Sequence, residues 1–240
     1  MNRFNPINKR HLIFFVLIPL LYFPCYISND LLLELTKEDG VYEYVGAFLF
    51  LFTAIAFFIL ARKPKLYDIT RNNEKYPKRI YFWLFALLFF FAFGEEISWG
   101  QRIFNFETPQ AIKEINIQEE FNLHNLEFFH GKTTEGEEKT GIMALFTMHR
   151  LFYMGFLTYL LILPLLYAVN SKVRVIIDRF RLPIPHILIG VLFAFNLAYG
   201  NVLRALASGI DGHGTVEIKE VVVAFVLFAL PLSWMGFKKA

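Results

Sequence analysis

The chain has 240 residues, 56% of them hydrophobic and 18% aromatic, with 29 Phe, while only 19% carry charge. That balance, with long unbroken apolar runs, excludes an ordinary soluble domain and fits one polytopic membrane domain over 1–240. The net charge of +3 carries little weight, because in a membrane protein the position of charge matters more than its sum. Nucleic acid is not an expected partner.

In chain order, Arg3, Lys9 and Arg10 precede a first apolar run at 11–28 that contains Pro19 and Pro24. It ends without a small-residue cleavage site, so it reads as a retained first span and not a signal peptide. Its Cys25 is the only cysteine, which leaves neither a disulfide framework nor a cysteine-based zinc site. Further spans are predicted at 41–61, 80–100, 149–169, 186–204 and 216–237, with a long connector at 101–148. The expected architecture is therefore all-α: a bundle of about six transmembrane helices plus an outer interfacial amphipathic segment.

That segment begins at Thr108-Pro109, which looks like a cap followed by a first-turn proline. The spacing of Ile112, Ile115, Phe121, Leu126 and Phe129 then predicts about two short helices lying on the membrane surface. The following Gly131-Lys132-Thr133 is not a phosphate loop: the required upstream glycine falls on Leu126, and no strand precedes it.

Placing both termini in the cytoplasm of a plasma membrane puts 16 of the 24 Lys and Arg on the inner side, against three of the 21 acids. The basic asymmetry supports that orientation. Among the inner charges are Arg62, Arg71, Lys75, Lys78, Lys172, Arg179, Lys238 and Lys239. No repeat relates the two halves, which weakens an inverted-repeat transporter.

The polar residues then gather on the outer side. Ile80 to Phe93 holds no charged or amide side chain, and Gly94-Glu95-Glu96-Ile97-Ser98-Trp99-Gly100-Gln101-Arg102 follows it. At 1.5 Å per residue Glu95 falls about 22 Å into a hydrocarbon layer of roughly 30 Å. Acids at that depth cost about 2.5–3.5 kcal/mol even on lenient scales, so they mark a functional site. On a continuous helix Glu95, Ser98 and Arg102 share one face, with Glu96 about 100° around from it. Glu120, His124 and Glu127 would share another face on the connector helix. His149 opens the fourth span, with Tyr153 one turn below. Asn196 lies near mid-membrane on the fifth, which ends at Arg204. Asp211 to Gly214 forms a turn carrying His213, and Glu217 and Glu220 begin the sixth span, where acids also suit a helix N-terminus.

The nine residues Gly94–Arg102 resemble a group of uncharacterised multi-pass bacterial membrane proteins that carry Gly-Glu-Glu-x-Ser-Trp-Gly-Gln-Arg. Asn116-Ile117-Gln118 and Asn122-Leu123-His124-Asn125 look like the same group. The likeness spans about residues 94–126 and implies membership without an activity. A vaguer likeness is to membrane-embedded metal hydrolases of the alkaline ceramidase type, whose seven spans and motifs are not matched here.

The functional expectation is a hydrolase or transferase acting on a lipid or lipid-linked substrate at the outer leaflet. Glu95, Glu96, Ser98, His124 and His149 are the candidate catalytic residues. Arg102, Trp99, Asn196 and Arg204 are candidates for substrate binding, although Trp99 also suits an interfacial anchor. His124, His149, His213 and Glu217 could furnish a zinc or other divalent-metal site, assembled from separate helices. The alternatives are a transporter or channel using the same acids as a proton or cation relay, and a non-enzymatic partner-binding protein docking through 108–129.

Overall fold

The computed structural model describes residues 9–67, 77–206 and 211–235. Within them the chain is helical, with no strand beyond isolated bridges. The helices are α1 (Lys9–Leu21), α2 (Asn29–Thr36), α3 (Val41–Arg62), α4 (Arg79–Glu96), α5 (Met148–Val169), α6 (Ser171–Phe180), α7 (Ile187–Leu206) and α8 (Gly212–Trp234). Of the charges used to orient the chain, Arg3, Asp68, Arg71, Glu74, Lys75, Lys238 and Lys239 lie outside the described residues.

Among the described residues three helices, α3, α5 and α7, are long and apolar enough to cross a membrane alone. A fourth span results if α4 and the bent continuation Ser98–Phe104 are counted together. That is fewer than the six apolar runs predict, for two physical reasons. The first run does not form one helix: Pro24 cannot donate to the carbonyl four residues earlier, so α1 stops at Leu21 and a short turn, Pro24–Ile27, follows. At 13 residues α1 is about 20 Å long, short of the hydrocarbon thickness. The last run forms a 23-residue helix, but Glu217, Lys219 and Glu220 occupy its opening turns.

α8 is the axle of the bundle. Ile218, Val221, Val222, Val223, Ala224, Val226, Leu227, Leu230 and Trp234 are all buried, covering every side of the helix, as expected of a helix enclosed by others. It packs against α3 and α7, and α3 also packs along α4. At the Trp234 end the bundle is closed by rings. Phe57 stacks on Phe85 and Phe89, at 4.9 and 5.6 Å, and lies edge-on to Trp234 at 5.8 Å. Phe82 and Tyr67 complete the plug.

One buried amide ties three elements together. Asn196 on α7 accepts from Tyr22 Oη at 2.8 Å and donates to the Lys219 carbonyl at 3.0 Å. Both side chains are fully enclosed, so Asn196 serves packing and is removed from substrate contact. A buried polar group persists when its bonds are satisfied, as these are.

α5 and α7 meet at a backbone-to-backbone contact. Pro164 has no N–H for the Leu160 carbonyl, and the helix adopts a π turn at Thr158–Ile162. Gly190 of α7 presses on that turn: a Cβ at 190 would lie 2.2 Å from Leu160 O and 2.5 Å from its carbonyl carbon. Neither atom is a flexible side-chain end. Gly190→Ala is therefore expected to force α7 off α5 at a cost of about 1–3 kcal/mol or more. Thermal unfolding of the purified protein should show the loss, and an unchanged midpoint would refute the packing.

Candidate functional site

The site is built where α4 ends. Ser98 and Trp99 have φ of 44° and 54°, followed by Gly100 at 78°. Such conformations cost of order 1–3 kcal/mol each for non-glycine residues and persist where the surroundings hold them. They turn the chain by 68° into the segment ending at Phe104. The continuous helix expected over 80–100 is thus broken after Glu96, and both acids stand on its last turn.

Glu95 is buried, at 6% exposure, and its carboxylate is saturated. Oε1 accepts from Trp99 Nε1 at 2.8 Å. Oε2 accepts from the backbone N–H of Leu123 and His124, at 2.7 and 2.9 Å, and meets His124 Nδ1 at 3.3 Å. An acceptor so occupied is an anchor and not a free base. Glu96, its neighbour, has no hydrogen-bonding partner among the described residues. It lies instead in the field of Glu220, Glu217 and Glu43, with His149 as the opposing charge.

The segment that Glu95 holds is the connector, and it is not the pair of amphipathic helices expected. Only Gln110–Lys113 and a 3-10 turn at Glu127–Phe129 are helical between 108 and 129. Thr108 does not cap a helix; its hydroxyl accepts from Gln101 Nε2 at 2.8 Å. The rest is an asparagine-built loop. Asn116 Oδ1 accepts from the N–H of Gln118 and Glu120, and its amide donates to Asn122 O and Oδ1, all within 3.0–3.1 Å. Asn122 in turn donates to Ser98 Oγ at 3.0 Å, and Gln101 Oε1 accepts from Phe121 N at 2.7 Å. Asn side chains compete with backbone partners for such bonds, which disfavours a helix. The motif at 94–102 and the downstream segments at 116–118 and 122–125 thus form one hydrogen-bonded unit.

Glu120, His124 and Glu127 do not share a helix face. Glu120 bonds Ser98 Oγ at 2.7 Å and pairs with Arg102, whereas Glu127 accepts from Thr134 at 3.0 Å. Arg102 also pairs with Glu38 and, at 2.5 Å, with Asp39. Its guanidinium is already committed to carboxylates and is not free to hold an anionic headgroup. The crowding shows in Glu38, which a hydrogen bond to the Glu120 carboxyl and partial burial hold above the ordinary carboxylate range. Arg102→Met should leave four acids, Glu38, Asp39, Glu43 and Glu120, facing one another. Faster amide exchange at 35–40 and 116–124 is the expected result, and unchanged exchange in both segments would show that the clasp does not hold them.

Between these elements lies a cavity of about 630 Å³. Its upper wall carries Glu38, Glu43, Glu95, Glu96, Glu120, Glu217 and Glu220, with His124, His130, His149 and His213. Its lower wall is Phe50, Leu88, Phe91, Ala92, Phe152 and Val223. No Lys or Arg lines it among the described residues. His149 Nε2 meets Glu220 Oε1 at 3.0 Å, and the imidazole keeps 52% of its surface accessible. His213 Nδ1 is 3.8 Å from Glu217, one turn along α8. Burial holds His130 below its ordinary pKa, favouring neutral imidazole. Tyr153 Oη is buried against the cavity without a hydrogen-bond partner among the described residues.

The structure thus brings Glu95, Glu96, His124, His149, His213 and Glu217 to one cavity. Ser98 stands just behind it, buried and bonded to Glu120 and Asn122, so it is a scaffold and not an exposed nucleophile. Trp99 neither lies free at an interface nor lines the cavity; its indole is bonded to Glu95, and its ring packs over Gly94 and Phe91. Arg204, exposed at the end of α7 beside Gly212, is also outside the lining. The expected metal set is not assembled. His124, His149, His213 and Glu217 fall into separate histidine–carboxylate pairs, and no group of three His, Cys, Asp or Glu suited to a metal ion occurs among the described residues.

Glu220 is the residue that sequence reasoning undervalued. Asp211 caps α8, accepting from Gly214 N at 2.7 Å, so Glu220 is left to face His149. The i, i+3 spacing of Glu217 and Glu220 on an otherwise apolar helix was the available signal. Tyr153 lines the cavity beside His149, as its place one turn along the helix suggests, and His130 joins it through the connector.

Compared with known proteins, the chain matches no family model, no curated protein and no solved structure.

Proposed function

We propose that this is a plasma-membrane enzyme that uses the cavity for acid/base hydrolysis or group transfer on a lipid or lipid-linked substrate. The reading includes six crossings, with the whole first run at 11–28, of which α1 is only part, and α8 completing the bundle alongside α3, the bent α4, α5 and α7, and both termini in the cytoplasm. α8 can cross despite its charges because Glu217 and Glu220 face a cavity and not lipid. The resemblance at 94–102 favours membership of a multi-pass bacterial group and supplies no activity.

The observation that carries the proposal is Glu96, an unpartnered carboxylate facing a cavity with an acid–histidine rim and an apolar floor. A free acceptor in a poorly solvated pocket has the character of a general base. His149 is oriented by Glu220, which with Nε2 protonated leaves Nδ1 to exchange a proton, the role a carboxylate plays for a catalytic imidazole. In a hydrolysis, Glu96 would take a proton from the attacking water, and His149 would return one to the leaving group. The apolar wall suits an acyl or isoprenoid chain.

The closed end favours chemistry over transport. A relay needs polar groups through the bundle, and below the cavity lie Phe57, Phe82, Phe85, Phe89 and Trp234. The test is the lipid mass spectrum of membranes from cells making wild type or Glu96→Gln protein at equal levels. A lipid consumed or formed only with wild type is expected, and identical spectra would overturn the proposal.

A further inference from the structure

The geometry points to an amphiphile with a positively charged amine head as the ligand of this cavity; we propose this class against anionic lipids, on the basis of the cavity reading above. Among the described residues seven glutamates and four histidines line the space, and no Lys or Arg does. The nearby cations do not reach the rest of it. Arg102 pairs with Glu38, Asp39, Glu43 and Glu120, which offsets three of the seven lining glutamates and leaves Glu96, Glu217 and Glu220 to the histidines. The Lys219 ammonium lies over the Tyr153 ring, 5.5 Å from its centroid, and stays out of the lining.

Glu96 and Glu217 therefore face the cavity with their charge uncompensated except by His149 and His213. Unpaired acids in a low-dielectric site need a proton or a cation. An ammonium supplies three donors, and carboxylates that accept them release any proton they held. An anionic head would add like charge to the same wall. A second, independent feature points to a ligand: Tyr153 Oη is buried on this cavity with no partner among the described residues, which leaves a hydroxyl ready to bond the same head. The apolar lower wall, from Phe50 to Val223, then takes a hydrocarbon chain, and the volume of about 630 Å³ lies in the range of small-molecule sites.

The experiment uses the full-length protein in a neutral maltoside, with thermal unfolding read in the presence of tetradecylamine, tetradecanol or tetradecanoate. Zinc, calcium and magnesium chlorides are added alone in parallel. A midpoint raised in a saturable way by the amine only, with the apparent affinity at least fivefold weaker in Glu217→Gln, is the expected result. Equal effects of the three chains, or a larger effect of tetradecanoate, would overturn the inference, as would stabilisation by a metal chloride with none by the amine. If Glu217→Gln does not fold, the wild-type comparison of the three head groups decides alone. Amine binding with lipid spectra unchanged by Glu96→Gln would leave this inference standing and remove the enzymatic reading. Turnover of a lipid without amine selectivity would do the reverse.

Discussion

Glu95→Gln should unfold the connector from the bundle and cost about 3–5 kcal/mol of stability, the range for breaking a buried charged interaction by removing one partner. The carboxylate presents only acceptors, and three fixed donors meet it: Trp99 Nε1, Leu123 N and His124 N. An amide must turn its NH₂ either to the indole or to the two backbone groups. In both rotamers a donor meets a donor inside a site that is 6% exposed. Each hydrogen bond to a charged group is worth about 1.5–3 kcal/mol. Amide exchange at Leu123 and His124 should accelerate by orders of magnitude, and the unfolding midpoint should fall. Full protection of both amides in the variant would show that Glu95 is not the anchor.

Glu96→Gln should behave in the opposite way, leaving the fold intact and removing activity. No hydrogen bond is lost, and one of several crowded like charges disappears, so the thermal midpoint should be equal or higher. Turnover should drop by about 100-fold or more, the usual contribution of a positioned base. Adjacent acids thus make a paired control: one variant loses structure, the other loses chemistry. A Glu96→Gln protein as active as wild type would assign the base elsewhere in the cavity.

The contrast also shows where sequence reasoning reached its limit. Apolar runs revealed the bundle because hydrocarbon demands them, and the clustering of Glu95, Glu96, His124, His149, His213 and Glu217 at one end was legible from helix direction alone. The different duties of Glu95 and Glu96 were not. They depend on left-handed backbone at Ser98 and Trp99, which residue type does not announce. The connector misled for a related reason. Its Ile, Leu and Phe spacing imitates a helix, while Asn116, Asn122 and Asn125, nearly fully buried, impose a loop through side-chain bonds that periodicity ignores. Arg102 read as a ligand for anions because its four carboxylate partners are Glu38, Asp39, Glu43 and Glu120, two of them more than sixty positions away. Six spans exceed what helix length and composition give, since Pro24 splits the first run and charges occupy the opening turns of α8.

The most direct measurement is thiol accessibility at position 96. In a Cys25→Ser background, Glu96→Cys should react with a membrane-impermeant maleimide from one face of sealed vesicles, and tetradecylamine should slow the reaction. Labelling from both faces would mean a pore where the account requires a closed cup. No labelling from either face would mean that Glu96 is packed in the core and that the cavity does not open to a ligand.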